Sequence, residues 1–117
     1  MAELRQPPAV EAFGAGGFRI EGVRHDGSVL ILRDVVSRWT ADPSPDSLSD
    51  VMSAGPAAVE LLILGVGKVL APPSRVLRLA VQGAGIGLEV LTTAEAVRLY
   101  NLLASDGRRV AAALTAI

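Results

Sequence analysis

Val59–Leu91 reads VELLILGVGKVLAPPSRVLRLAVQGAGIGLEVL, and this run decides the fold class. Val59 to Leu64 is a nearly unbroken apolar run, the kind a strand needs when both faces are covered, as in a central parallel strand. Gly65-Val66-Gly67-Lys68 follows as a loop. Pro72-Pro73 opens a helix carrying Val76, Leu77, Leu79, Ala80 and Val81, with Gly83 or Gly85 as its stop. Ile86 to Leu91 is the next strand. Strand, helix and strand within about 30 residues make a βαβ crossover, expected to be right-handed.

Downstream of that unit, Thr92 and Glu95 form a T-x-x-E capping pattern, so a helix starts at about Thr93. Ala96, Leu99, Tyr100 and Leu103 recur at helical spacing as an apolar stripe, and Arg98, Asn101 and Ser105 fall on the opposite side. Asp106-Gly107 ends the helix. Val110, Ala112 and Leu114 then alternate with Ala111, Ala113 and Thr115 as a closing strand. Upstream, residues 1–12 read as a flexible, Pro-containing arm and residues 13–117 as a single α/β domain. Phe18, Ile20 and Val23 are strand-like with a break at Glu21-Gly22. Asp26-Gly27 has the composition of a two-residue hairpin turn leading into Val29–Leu32. These pieces predict a β-meander whose inner face carries Val23, Val29 and Ile31. Val35–Thr40 is a further short strand, Ala41–Asp46 is a loop, and Ser47 or Ser49 caps a short helix that Gly55-Pro56 stops. The fold class is therefore α/β: a three-layer single domain with a central mixed sheet, a flanking N-terminal β-hairpin or meander, and a C-terminal helix and strand.

Composition narrows function mainly by exclusion. The 117 residues are 50% hydrophobic, enough for one core. A net charge of -1 with 3% aromatic residues supplies neither the basic surface nor the stacking platforms that nucleic acid needs. Without cysteine there is no disulfide, thiolate metal site or cysteine nucleophile, and a histidine-based site would depend on His25 alone. The start of the chain lacks the apolar core of a signal peptide, and no apolar run approaches the ~18 residues of a membrane span. The expectation is a cytoplasmic protein with no metal, no cofactor and no transmembrane segment.

Several residues carry candidate chemistry. Gly65-x-Gly67 after an apolar strand invites a phosphate-loop reading. However, Lys68 is followed by Val69-Leu70-Ala71-Pro72 and fits neither a dinucleotide loop nor a Walker loop. Glu60 and Glu89 sit in neighbouring strands, where paired carboxylates could do acid–base work, or where each could meet an arginine or solvent. His25 borders a turn, and Trp39 reads as a lid over the core or a recognition anchor. Tyr100, Asn101, Arg108 and Arg109 form the densest polar cluster. Adjacent strand residues point to opposite faces, so only one of Arg108 and Arg109 can look inward.

The run Gly85–Leu114, GIGLEVLTTAEAVRLYNLLASDGRRVAAAL, resembles the end of a small uncharacterised domain family that includes mitochondrial complex I assembly factor 3 and the adipogenesis-associated homologue. GGFRIEGVRHDGSVLIL (16–32), Trp39 and LLILGVGK (61–68) with Pro72 resemble further segments of it. The resemblance covers roughly Phe13 to Leu114. It implies a three-layer fold around a mixed sheet, no agreed enzymatic activity, and a protein-binding role by analogy with assembly of a membrane respiratory complex. Val66 and Leu99 stand where the family often has Thr, and Val97 where bacterial members often have Cys. These departures remove a hydroxyl and a thiol that catalysis would use.

Two readings follow. The first is a non-catalytic interaction or assembly module with an unidentified protein partner, using Arg98, Asn101 and Arg109 with the Gly65–Lys68 loop. The alternative is a small-ligand site, such as one for a small anion, or an enzymatic site, where the loops at Gly65–Gly67 and Thr92–Thr93 meet at the strand carboxyl ends. Thr92, Tyr100, Asn101 and Arg109 would supply its polar contacts.

Overall fold

A computed structural model describes residues 6–117 of the chain. Eleven elements follow one another: β1 (Val10–Gly14), β2 (Gly17–Ile20), β3 (Val23–Asp26), β4 (Val29–Leu32), β5 (Val35–Arg38), α1 (Ser49–Ala58), β6 (Leu61–Gly65), α2 (Arg75–Gly83), β7 (Gly87–Leu91), α3 (Thr93–Ser105) and β8 (Val110–Leu114). The first three strands make a small antiparallel sheet. The other five make a mixed sheet in the order β5-β4-β8-β6-β7. β6 is parallel to both its neighbours, β7 and β8.

The βαβ expectation therefore holds at β6–α2–β7, and the chain adds a second crossover, β7–α3–β8, which returns over β6. Two crossovers of one hand running in opposite directions must place their helices on opposite faces of the sheet. Burial shows this directly. Leu62 and Leu64 of β6, with Ala111 and Ala113 of β8, pack with Val51 of α1 and with Leu77 and Val81 of α2. Ile63, Val110, Ala112 and Leu114 pack with Ala96, Val97, Tyr100 and Ala104 of α3 and with Val10, Phe18 and Ile20 of the small sheet. The result is three layers: α1 and α2, the mixed sheet, then α3 beside the small sheet. β8 lies at the centre and is buried along its whole length. Its three consecutive alanines let both outer layers approach the sheet closely.

Local details depart from expectation in instructive ways. Asp26-Gly27 does not close a hairpin: β3 pairs with β2, and β4 pairs with β5 and β8. A two-residue turn of that type needs positive φ at both central residues. Asp26 instead stays in the β3 ladder, and only Gly27 (φ 84°) is left-handed, so the chain passes from one sheet to the other. The hairpin turns are Ala15-Gly16, Glu21-Gly22 and Arg33-Asp34, each with both φ values positive. Val23 consequently lies outside the core, 56% exposed, while Val29 and Ile31 are buried as expected.

Pro72-Pro73 precede rather than open α2, whose N-cap is Ser74, its hydroxyl accepting from the Leu77 N–H at 3.1 Å. Gly55-Pro56 interrupts α1 without stopping it. Gly55 leaves the helical region (φ 75°, ψ 175°), and Pro56 starts a last turn that runs to Ala58. The cap of α1 is Leu48 rather than a serine. Ser47 instead joins the loop, taking the Trp39 indole N–H at 3.3 Å and donating to the Asp42 carbonyl.

Part of the stretch read as an arm, residues 1–12, is built into the fold. Residues 1–5 lie outside the described residues, but Pro8 is buried and β1 begins at Val10. Side chains of α3 hold this segment in place, a tertiary cause that local sequence does not display.

Gly65, the last residue of β6, sits where α3 crosses the sheet. A Cβ there would stand 3.1 Å from the Ala96 Cβ, 3.1 Å from the Thr93 Cα and 3.2 Å from the Leu114 Cδ2. One of these is backbone and cannot swing away. Gly65→Ala should therefore cost about 1–3 kcal/mol, read as a lower urea midpoint with an unchanged m-value. An unaffected midpoint would show that α3 is not seated on this glycine.

Candidate functional site

The polar residues singled out in the sequence fall into three separate places. At the carboxyl ends of the strands, Gly65, Gly67 and Thr92 come together around Thr93, which is fully buried. The Thr92 hydroxyl accepts from the Glu95 N–H at 3.4 Å, as a helix cap should. The Thr93 hydroxyl accepts from the Gly67 N–H at 3.0 Å and donates to the Thr115 carbonyl at 2.8 Å. Thr93 N–H also donates to the Gly67 carbonyl at 2.9 Å, and Val66 N–H to the Leu91 carbonyl at 3.0 Å. Gly67 adopts φ 106°, which a side chain would resist.

The crevice at the carboxyl ends is where α/β sheets take ligands. Here the loops after β6 and β7 bond to each other across it, and the N–H groups of Val66, Gly67 and Thr93 that could have cradled an anion each have an internal acceptor. Beside them a mainly apolar cavity of about 210 Å³ stays open, lined by Trp39, Leu64, Val66, Pro72, Pro73 and Thr115 among others. Lys68 is exposed on the loop beyond. Trp39 is buried nearby and closes the core below that loop, together with Leu64 and Val66.

Tyr100 and Asn101 occupy the second place, midway along α3. The Tyr100 hydroxyl donates to the Pro8 carbonyl at 2.7 Å. The Asn101 side chain takes the Val10 N–H and donates to the Val10 carbonyl, both at 2.9 Å, so it pairs with Val10 as a neighbouring strand would. These residues fasten β1 to the domain. Asn101, assigned from sequence to the interaction or ligand surface, has this structural task.

Arg108 and Arg109 occupy the third place, at the opposite end of the sheet. β8 runs parallel to β6 with Val110 beside Leu61 and Leu114 beside Gly65. Arg109 therefore lies five strand steps, roughly 16 Å, from the Gly65–Gly67 loop and Arg108 lies further still, so neither reaches it. Their partner is Glu60. Its carboxylate takes the Arg108 Nε–H in a short charge-assisted contact, accepts the Arg109 N–H at 3.3 Å, and lies 3.7 Å from the Arg109 guanidinium. The Arg108 hydrogen bond and the Arg109 N–H, helped by the two positive charges, hold the Glu60 carboxyl below its usual pKa against an opposing effect of burial. Glu89 sits beside Ile63, three strand steps from Glu60, roughly 10 Å, so the two carboxylates do not form an acid–base pair. His25 is half-buried beside a polar crevice of about 290 Å³, also lined by Arg24, Asp26 and Arg38. The guanidinium of Arg24 is taken up by Asp26 and by the carbonyls of Gly14 and Ala15.

The feature that sequence reasoning missed is apolar. Glu95, Arg98, Leu99 and Leu102 share one face of α3. With Glu89 and Leu91 of β7 they line a shallow depression of about 400 Å³. Leu102 is 59% exposed there. Its signal was legible, since Leu102 interrupts the polar side of the helix that carries Arg98 and Ser105. Among the described residues no cluster of three His, Cys, Asp or Glu could hold a metal ion, and no helix is long and apolar enough to cross a membrane.

Residues 10–115 match the protein family of unknown function DUF498/DUF598. An uncharacterized protein of Rhodobacter capsulatus is 37% identical over 105 residues, which is 90% of this chain and 82% of that one. NADH dehydrogenase [ubiquinone] 1 alpha subcomplex assembly factor 3 of Rattus norvegicus is 30% identical over 96% of this chain, which spans 62% of that protein's length. The solution structure of a protein from Rhodopseudomonas palustris superposes with a TM-score of 0.80 at 36% identity, covering 99% of this chain and 90% of that one.

Two outcomes follow from the buried bonds. Thr93→Val leaves the Gly67 N–H and the Thr115 carbonyl without this partner and should cost about 2–4 kcal/mol in chemical denaturation, while Thr93→Ser retains most of it. Equal loss in both variants would place the effect in packing. Glu60 has a lowered pKa in the folded chain, so its contribution is full above the ordinary value of about 4.5 and disappears as pH falls through the lower folded value. The melting-temperature gap between wild type and Glu60→Gln should accordingly be constant above about pH 5 and narrow as pH falls below it. A gap that fails to narrow there would contradict the ion pair.

Proposed function

The chain belongs to the DUF498/DUF598 family, and from that premise we propose that it is a non-catalytic interaction module that assists the assembly of a larger protein complex. The observation that carries this reading is the open apolar depression between β7 and α3. Leu91, Leu99 and Leu102 meet there beside Glu89, Glu95 and Arg98. An exposed leucine surrounded by further apolar side chains and rimmed by charge is the usual anatomy of a protein contact. The assembly factor named among its relatives supports the same class of role. The bonded state of the carboxyl-end crevice weighs against a small ligand there, because the N–H groups that would bind an anion already have acceptors.

This reading moves the contact surface. Of the residues first assigned to it, Arg98 remains at the rim. Asn101 is occupied with β1, and Arg109 is at the far end of the sheet. Lys68 and the Gly65–Gly67 loop do not line the depression, although Val66 bonds to Leu91 at its end.

Leu102→Asp tests the surface with little risk to the fold, because the side chain is largely exposed. Affinity capture from the native cell should recover a defined set of proteins with the wild-type chain and lose it at least about tenfold with the variant, at equal thermal stability. Recovery of the same set by both chains would refute the surface.

A further inference from the structure

The β7 strand is the last in its sheet, and its register fixes which backbone groups it leaves open. The Gly87 N–H donates to the Glu60 carbonyl at 3.0 Å, and the Leu91 carbonyl accepts from Val66 at 3.0 Å. Backbone groups alternate sides along a strand, so residues 87, 89 and 91 address β6 while Leu88 and Val90 turn their N–H and C=O groups outward. Those two donors and two acceptors face the side on which the sheet has no neighbour among the described residues. On the α3 side of the same strand, Glu89 and Leu91 continue directly into the depression formed with Glu95, Arg98, Leu99 and Leu102.

We propose that β7 accepts an extended segment of a partner protein as a sixth strand, with an apolar side chain in the α3 depression and a basic side chain beside Glu89. The inference rests on the interaction reading above and specifies the chemistry of its partner. Main-chain bonds to Leu88 and Val90 would supply affinity, and side chains spaced two apart would supply specificity. The rim carries two carboxylates, Glu89 and Glu95, against one guanidinium, Arg98, so it favours a lysine or arginine on the incoming strand.

The same charge argues against a second copy of this chain. A twofold antiparallel pairing that uses all four outward groups sets Leu88 opposite Val90 and therefore Glu89 opposite Glu89. Like charges directly opposite one another destabilise a strand pair. A carboxylate on an edge is also a common guard against self-pairing.

Hydrogen exchange in the intact chain tests this, with the blocked heptapeptide Thr-Lys-Thr-Leu-Thr-Lys-Thr as probe. Its two lysines and its leucine share one face in either strand direction. At roughly 1 mM peptide, exchange at the Leu88 and Val90 amides should slow at least about tenfold. A peptide with glutamate in place of both lysines, or with every backbone nitrogen methylated, should give no protection, and Glu89→Lys should invert the charge preference. No protection of Leu88 and Val90 by the lysine peptide would overturn the proposal. Protection that grows with protein concentration alone would also overturn it, by showing a second copy on the edge. If Leu102→Asp still loses its cellular partners while Leu88 and Val90 stay unprotected, the edge proposal falls and the interaction reading stands.

Discussion

Helix α3 can lie where it does because Gly65 has no side chain and Thr93 has a hydroxyl. The first lets the helix start come within van der Waals contact of β6. The second ties that start to Gly67 on one side and to Thr115 on the other. Much of the rest depends on this junction. It sets the second crossover on the face opposite α2, and that defines the three layers. It also sets the rotation of α3, so that Tyr100 and Asn101 reach back to Pro8 and Val10 while Leu99 and Leu102 look towards the free edge of the sheet.

The same junction redistributes function. An α/β sheet with crossovers on both faces would ordinarily offer its carboxyl-end crevice to a ligand. Here the loops after β6 and β7 bond to each other across that crevice. At the amino end, Glu60 collects Arg108 and Arg109 and closes the other rim. With the polar groups at both ends of the sheet bonded internally, the apolar depression rimmed by charge lies along its side. There β7 exposes backbone groups and α3 exposes leucine.

The sequence displayed the architecture well and the site poorly, for one physical reason. Strand and helix patterns are local: the apolar run of β6, the capping threonine of α3 and the alternation of β8 all record burial residue by residue. Long-range pairings leave no such trace. Asn101 looked like a free polar side chain because Val10, its partner, is 91 residues away. Arg109 looked adjacent to the glycine loop because nothing in the local pattern fixes which end of β8 lies beside which end of β6. Asp26-Gly27 had hairpin composition, yet the strand after it found better partners in β8 and β5. Glu21-Gly22 made the turn without the usual Asn or Asp because Glu21 there accepts a left-handed backbone (φ 51°). Leu102 was readable as an apolar residue on a polar face. Its meaning appears only once β7 is known to be the edge strand beside it.

The central claim is that this chain acts by holding another protein along its β7–α3 edge. Photo-crosslinking in the native cell tests it most directly, with a benzophenone side chain placed in turn at Leu102, at Lys68 and at Arg33. The account predicts a discrete protein adduct at Leu102 and none at Lys68 or Arg33. Adducts confined to Lys68 or Arg33, with Leu102 silent, would contradict it.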